Sequence, residues 1–210
     1  MDKEFHKGNR ERAYREMKPN SLWVMFSGTE VCKTNDEQYP FYTDRNFLYL
    51  TGLDSKEFVL LAWKDSEGNT GERIYILPPD LMKERWTGER IKPDRAAELS
   101  GIGDVAFVES FEADFHKLAS LGNYGQLYLD TYRAQPIDRE TPAHKLCRRA
   151  AVDYPFLRIE DAGAILRRLR TIKQPCEIEA IREAEKITRD GIVAMMKASR
   201  PGMYEYQYKA

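Results

Sequence analysis

The sequence predicts an α/β protein in which a mixed β-sheet is flanked by helices and followed by a purely helical remainder. Three observations carry this. Apolar runs of strand length stand at Leu22–Phe26 and Phe58–Trp63, strands and helices alternate regularly between Asp104 and Glu160, and strand character disappears from Ala162 onward. Continuous apolar runs bounded by turn residues suit strands covered on both faces, and a strand–helix alternation implies parallel pairing.

The elements follow in order. Phe5–Met17 is polar apart from Phe5, Ala13, Tyr14 and Met17 and reads as a surface helix, stopped by Lys18-Pro19-Asn20. Leu22–Phe26 is a strand placed in the middle of the sheet, and Ser27-Gly28 after it is a turn. Asn46–Thr51, ending at Gly52, and Phe58–Trp63 read as strands because their aromatic and branched residues fit a pleated surface. Lys64-DSEGNTGE forms a long hairpin tip, and Arg73–Leu77 returns as the antiparallel partner. Pro78-Pro79-Asp80 opens a short helical stretch to Trp86, and a further helix runs from Pro93 to Gly101, with proline first and glycine last. Strands at Asp104–Val108, Gln126–Asp130 and Phe156–Glu160 then alternate with helices at Phe111–Leu121 and Thr141–Asp153.

After Ala162 only helices follow: Ala164–Leu169, a break near Thr171–Pro175, and a long helix from Pro175 to Ser199. Its residues Ile178, Ile181, Ala184, Thr188, Ile192 and Met195 share one side, and at about 1.5 Å per residue it is roughly 36 Å long, more than a cap on a sheet needs. We therefore expect one domain over residues 1–170 and the start of another over 171–210. Arg200-Pro201-Gly202 breaks the helix, and the last segment has no terminating signal, so the chain reads as a piece of a longer protein.

Composition narrows the function classes. Lys plus Arg (33) against Asp plus Glu (34) gives a net charge of -1, so no global field draws in nucleic acid or an anionic membrane, and neither is expected as a partner. The paired arginines Arg148-Arg149 and Arg167-Arg168 are interspersed with acids and read as solvated helix faces. Cys32, Cys147 and Cys176 are widely spaced and odd in number, and the start MDKEFHKGNRER lacks an apolar signal segment; together these predict a cytoplasmic protein.

A search for chemistry finds no assembled machinery. His6, His116 and His144 are far apart in the chain, and His144 with Cys147 offers two ligand types on one helical turn, too few for a closed metal site. Glu112, Asp114 and His116 are spaced by two, which on a helix directs them to different faces. Gly101-Ile-Gly103-Asp-Val-Ala106 fits a dinucleotide fingerprint in letters, but it follows a helix and opens a strand, the reverse of the order that brings a helix N-terminus to a pyrophosphate. Cys176 has no identifiable His partner and reads as a structural thiol. No catalytic residue and no metal ligand is therefore assigned, and no cofactor is expected in this chain.

Three segments nevertheless carry a resemblance. Tyr39-PFYTDRNFLYLTGL-Leu53, with its Tyr-Pro-aromatic lead into Tyr-Leu-Thr-Gly, looks like the N-domain signature of the Xaa-Pro aminopeptidases (aminopeptidase P, peptidase family M24, in the creatinase/prolidase superfamily). Asp80-LMKERWTGER-Arg90 is similar to that family's acidic-Trp-x-Gly-x-Arg segment. Leu169-RTIKQPCEIEAIREAEKIT followed by Arg200-PGMYEY resembles the linker and first helix of its catalytic domain. Tyr42 stands where the signature more often has Arg, and Gln174 with Cys176 replaces a small N-cap and an acid, which weakens the expected capping of the long helix.

The resemblance implies a creatinase/prolidase-type N-terminal domain over 1–170, followed by the linker and first helix of a "pita-bread" catalytic domain. It implies a parent metallopeptidase, a hydrolase releasing an N-terminal residue that precedes proline from proline-containing peptides, with two divalent metals, manganese above all, held outside this chain. The domain itself would be inactive alone, shaping substrate access and building a homo-oligomer. Trp86 is the candidate substrate-lining or interface residue, set against the alternative of a buried core tryptophan. Two further readings stay open: a non-enzymatic peptide- or protein-binding module of the same fold, and the N-domain of a prolidase or creatinase.

Overall fold

A computed structural model describes residues 1–209 and divides the chain into two compact units, Met1–Arg170 and the part from Thr171 onward. The first unit contains α1 (Lys3–Glu16), β1 (Ser21–Phe26), α2 (Arg45–Thr51), β2 (Val59–Lys64), β3 (Thr70–Ile76), α3 (Leu81–Thr87) and α4 (Pro93–Ser100). It continues with β4 (Val105–Phe107), α5 (Phe111–Ser120), β5 (Gln126–Leu129), α6 (Pro142–Asp153), β6 (Arg158–Asp161) and α7 (Ala162–Thr171). The remaining elements are α8 (Pro175–Ala198) and α9 (Glu205–Lys209).

The six strands form one mixed sheet in the order β4-β3-β2-β1-β5-β6. β1 is central, as its unbroken apolar sequence requires: it pairs antiparallel with β2, Ser21 opposite Lys64, and parallel with β5, Leu22 opposite Leu127. The strands alternating with helices pair in parallel, β3 with β4 and β5 with β6. Because successive strand residues point to opposite faces, β1 feeds two cores. Trp23 and Met25 join Leu60, Ile74 and Tyr128 under α1, α2, α4 and α7. Leu22 and Val24 join Leu61, Tyr75 and Leu129 under α5 and α6. Each apolar face of the sheet is thus covered by helices, giving a helix–sheet–helix sandwich.

Three local expectations are corrected. Residues 46–51, expected as a strand, form helix α2. Asp44 Oδ1 accepts the amides of Asn46 (3.0 Å) and Phe47 (2.8 Å), and Gly52 closes the helix in the left-handed region at φ 69°. Both edges of β1 are already taken by β2 and β5, so an aromatic-rich segment at this point covers the sheet rather than extending it. The helix α1 is not a surface element: it buries Phe5, His6, Asn9, Arg10, Ala13 and Tyr14, and His6, Asn9 and Arg10 Nη1 meet the carbonyls of α2 and α4. The hairpin tip is short, because the ladder runs out to Lys64 opposite Thr70 and Asp65 Oδ1 collects the amides of Glu67 and Asn69.

Gly101 ends α4 in the left-handed region at φ 72° and the chain passes directly into β4, so the apparent dinucleotide fingerprint is a cap and a turn. In the second unit, Gln174 does cap α8, its side chain meeting the third helical amide while Glu177 accepts the Gln174 amide at 2.8 Å. No residue of α8 is buried, and the stripe of Ile178, Ile181, Ile192 and Met195 stands partly exposed.

His6 makes the first unit sensitive to acid. Burial lowers its pKa from the ordinary 6.5, against the hydrogen bond of Nδ1 to Tyr49 O (3.0 Å), which raises it. The folded state favours neutral imidazole while the unfolded chain takes up a proton, so this contribution to stability is present above pH 6.5 and is lost as pH falls through the lowered folded value. The urea midpoint should fall when pH drops from about 7.5 to about 5.5, and His6→Gln should flatten that fall. A wild-type midpoint unchanged by the variant's criterion, flat across this window, would contradict the assignment.

Candidate functional site

Two features of the first unit stand out as places where a ligand or partner can be met: a cleft at one end of the sheet and an exposed aromatic helix. The cleft, of about 420 Å³, opens at the carboxyl ends of the neighbouring parallel strands β1 and β5. From β1 the chain leads to α2 on one face of the sheet, and from β5 to α6 on the other. Adjacent parallel strands whose connections part in this way leave a crevice between them, the general location of ligand sites in open α/β sheets.

The end of β1 forms the floor, and Gly28, at φ 103°, lets the chain turn away. The loop that follows is tied back: Ser27 Oγ accepts the Phe58 amide (2.8 Å) and Ser27 O accepts the Asp44 amide (2.8 Å). This places Asp44 and Asn46, at the start of α2, on one wall. Asp130, just past β5, and Arg167 and Arg170, on α7, complete the charged lining. Arg170 Nη1 donates to Asn46 Oδ1 (2.6 Å), and Asn46 Nδ2 donates to Asp130 Oδ2 (2.6 Å), so the side chains from three elements form one relay. Arg167 Nη2 donates to Asp161 Oδ2 at 2.9 Å. The Asp44 side chain is exposed and lines the cleft. Its pKa is raised, first by desolvation, with the nearby Asp130 charge adding and the amides of Phe47 and Asn46 and the Arg170 charge opposing.

The sequence reading passed over this cleft, treating Ser27-Gly28 as a turn and Asp130 as the last residue of a strand. Polar residues directly after an apolar strand are the available signal, but that signal becomes specific only once β1 and β5 are known to be neighbours.

The second feature is α3. Asp80 caps it by accepting the Lys83 amide at 3.1 Å, and none of its residues is buried. Trp86 is 89% exposed, and Leu81 and Met82 are also open, so the tryptophan lies on a helix outside the core. Isolated exposed apolar residues are ordinary, but three large ones within one short helix are a surface able to meet a partner.

The remaining candidates are held apart. His6 bonds Tyr49 O, His116 Nδ1 lies 2.7 Å from the Tyr154 hydroxyl, and His144 engages Thr141 Oγ1 (2.7 Å) and Thr131 O (3.0 Å) through its two ring nitrogens. Cys147 packs beside the second core, one turn from a histidine already engaged. Glu112 pairs with Arg149 (2.6 Å), whereas Asp114 accepts from Arg73 (2.7 Å) and the Tyr75 hydroxyl (2.9 Å), which separates it from His116. Among the described residues no group of three or more His, Cys, Asp or Glu side chains is placed to hold a metal, and no helix is long and apolar enough to cross a membrane.

Residues 6–128 match the family model described as "Aminopeptidase P, N-terminal domain". The chain is 30% identical over 210 residues to the Xaa-Pro aminopeptidase of Haemophilus influenzae, covering all of this chain and 46% of that protein. It is 26% identical over 199 residues to the Xaa-Pro aminopeptidase of Escherichia coli K12, 94% of this chain and 45% of that one. A Bacillus anthracis protein solved as a candidate aminopeptidase P superposes with a TM-score of 0.94 at 29% identity, covering all of this chain and 50% of its own. The chain thus spans about half the length of the relatives it matches.

Proposed function

Because the chain belongs to the aminopeptidase P N-terminal domain family, we propose that it works as the non-catalytic first domain of a longer, metal-dependent Xaa-Pro aminopeptidase. The observation that carries this reading is the extent of the match: all 210 residues align, yet they cover only 46% of the Haemophilus influenzae relative. The histidines of this chain are scattered and engaged in local hydrogen bonds, so the described residues do not fit a hydrolytic metal site. In this reading the divalent ions, a manganese pair by resemblance, are held by the other half, and this domain narrows the approach to them for proline-containing peptides.

Trp86 is the residue proposed to act at that approach or between subunits of a homo-oligomer. Its exposure on α3 together with Leu81 and Met82 supports a contact with something outside this domain. The three cysteines are unpaired, in keeping with a reducing, cytoplasmic setting.

One experiment tests the role. The 210-residue chain and the longer polypeptide that contains it are assayed with manganese on a short peptide with proline second. The longer protein should release the first residue and the chain alone should not. Release by the chain alone overturns the proposal, and an inactive longer protein favours the binding-module reading. In the longer protein, Trp86→Ala should lower kcat/KM about tenfold or reduce the sedimenting mass. The stability of the domain should stay within about 0.5 kcal/mol, since Trp86 is 89% exposed. Unchanged activity and assembly would remove Trp86 from the function.

A further inference from the structure

The cleft beyond β1 and β5 has no part in the role just described, yet it carries charges of both signs beside an apolar surface. We propose that it binds a small α-amino acid with an apolar side chain, the ammonium on Asp44, the carboxylate toward Arg167, and the side chain against Phe26, Pro142 and Ala143.

Size and charge lead to this class together. At about 420 Å³ the cleft falls in the range of small-ligand sites, roughly 300–1,000 Å³. A purely anionic ligand would face Asp44 and Asp130, and a purely cationic one would face Arg167 and Arg170. A zwitterion meets both signs at once.

The hydrogen bonds indicate which acid takes the ammonium. Asp130 accepts on both oxygens, from Asn46 Nδ2 (2.6 Å) and from the Tyr132 amide (3.2 Å). Asp44 uses Oδ1 for the two amides of α2. Its carboxylate also feels the Asp130 charge, and a seated ammonium would offset that repulsion. At the opposite sign, the carboxylate would meet the Arg167 guanidinium in a charge-assisted pair. The nonpolar wall of Phe26, Pro142 and Ala143 then selects an aliphatic side chain over a polar one.

The test is a titration of the isotopically labelled 210-residue chain at pH 7, followed by backbone amide shifts. Three probes are used: L-leucine, isoamylamine (no carboxylate) and 4-methylpentanoate (no ammonium). Leucine should saturate with a Kd of about 1 mM or tighter and move the amides of the β1 end, the α2 start and the α6 start; each single-charge probe should bind at least about tenfold more weakly. Asp44→Asn keeps an N-capping side chain and should weaken leucine about tenfold. Arg167→Gln, at a partly exposed position, should weaken it as well. No saturable shift up to about 20 mM leucine overturns the proposal. Shifts lying elsewhere, or equal binding of all three probes, also overturn it. Unchanged leucine affinity in both variants removes the assigned polar contacts. The wild-type titration stands whether or not either variant folds, and it uses no peptidase readout, so its failure would leave the proposed domain role untouched.

Discussion

Replacing Arg10 by alanine is expected to destabilise the first unit by about 3–5 kcal/mol, a large share of the roughly 5–15 kcal/mol by which domains are stable. The side chain is 1% exposed, and its guanidinium gathers three acceptors from three elements. Nη1 donates to Leu50 O (2.7 Å) in the last turn of α2 and to Ser100 O (2.9 Å) at the end of α4, while Nε donates to Glu72 Oε2 (2.8 Å) on β3. Both helices end at left-handed glycines, Gly52 and Gly101, so the carbonyls it meets belong to helix C-termini, where a cation is favoured. The Tyr14 hydroxyl also donates to Glu72 Oε2 (2.9 Å), and burial with the neighbouring carboxylate raises the phenol pKa well above 10.0, keeping it a donor.

Alanine at position 10 leaves two buried carbonyls without this donor and Glu72 without its cation. Arg10→Lys keeps the charge but lacks the planar fork and should recover only part of the loss. Glu72→Gln should cost about 1 kcal/mol, since the Glu72 side chain is 25% exposed and water screens the pair. Urea unfolding followed by far-UV circular dichroism measures all three. A loss below about 1 kcal/mol for Arg10→Ala would show that the network adds little to stability.

Trp23→Ala should cost a similar amount, about 3–5 kcal/mol, for a different reason. Trp23 is fully buried at the centre of the sheet, stacked on Tyr128 with ring centroids 5.3 Å apart and 13° between planes, and edge-on to Tyr14 at 6.4 Å. Truncation empties a space walled by the sheet and by helices packed on it, which cannot readily collapse. Its indole Nε1 has no hydrogen-bond partner among the described residues. Trp23→Phe therefore removes an unsatisfied donor as it removes volume, and should cost only about 1–2 kcal/mol. Equal losses for Phe and Ala would mean that the indole nitrogen is satisfied after all.

The strands and most helices were legible because they depend on short-range patterns. The apolar run of β1 announced a central strand, proline and glycine bracketed α4, and the strand–helix alternation from β4 to β6 implied the parallel pairs that form. The resemblance at Tyr39–Leu53, Asp80–Arg90 and Leu169–Tyr206 identified the family, since each of those motifs is a run of neighbouring residues. The misread segment was Asn46–Thr51: six largely apolar residues fit either a strand or a helix, and what chose between them was the Asp44 cap together with the lack of a free edge beside β1. Trp86 could not be placed inside or outside the core until α3 was seen to bury nothing.

The buried Arg10 network and the cleft were decided by tertiary structure. An arginine in a polar helix reads as solvated; its burial depends on carbonyls at positions 50 and 100 and a carboxylate at 72 arriving at one point. The cleft exists because Ser21 lies opposite Gln126, a pairing across more than a hundred residues, and because the chain leaves those two strands for opposite faces. Local sequence sets periodicity, caps and turns, since these are interactions among residues a few positions apart. Which surfaces meet, and hence which charges converge in a cleft, is settled by the free energy of packing the whole domain.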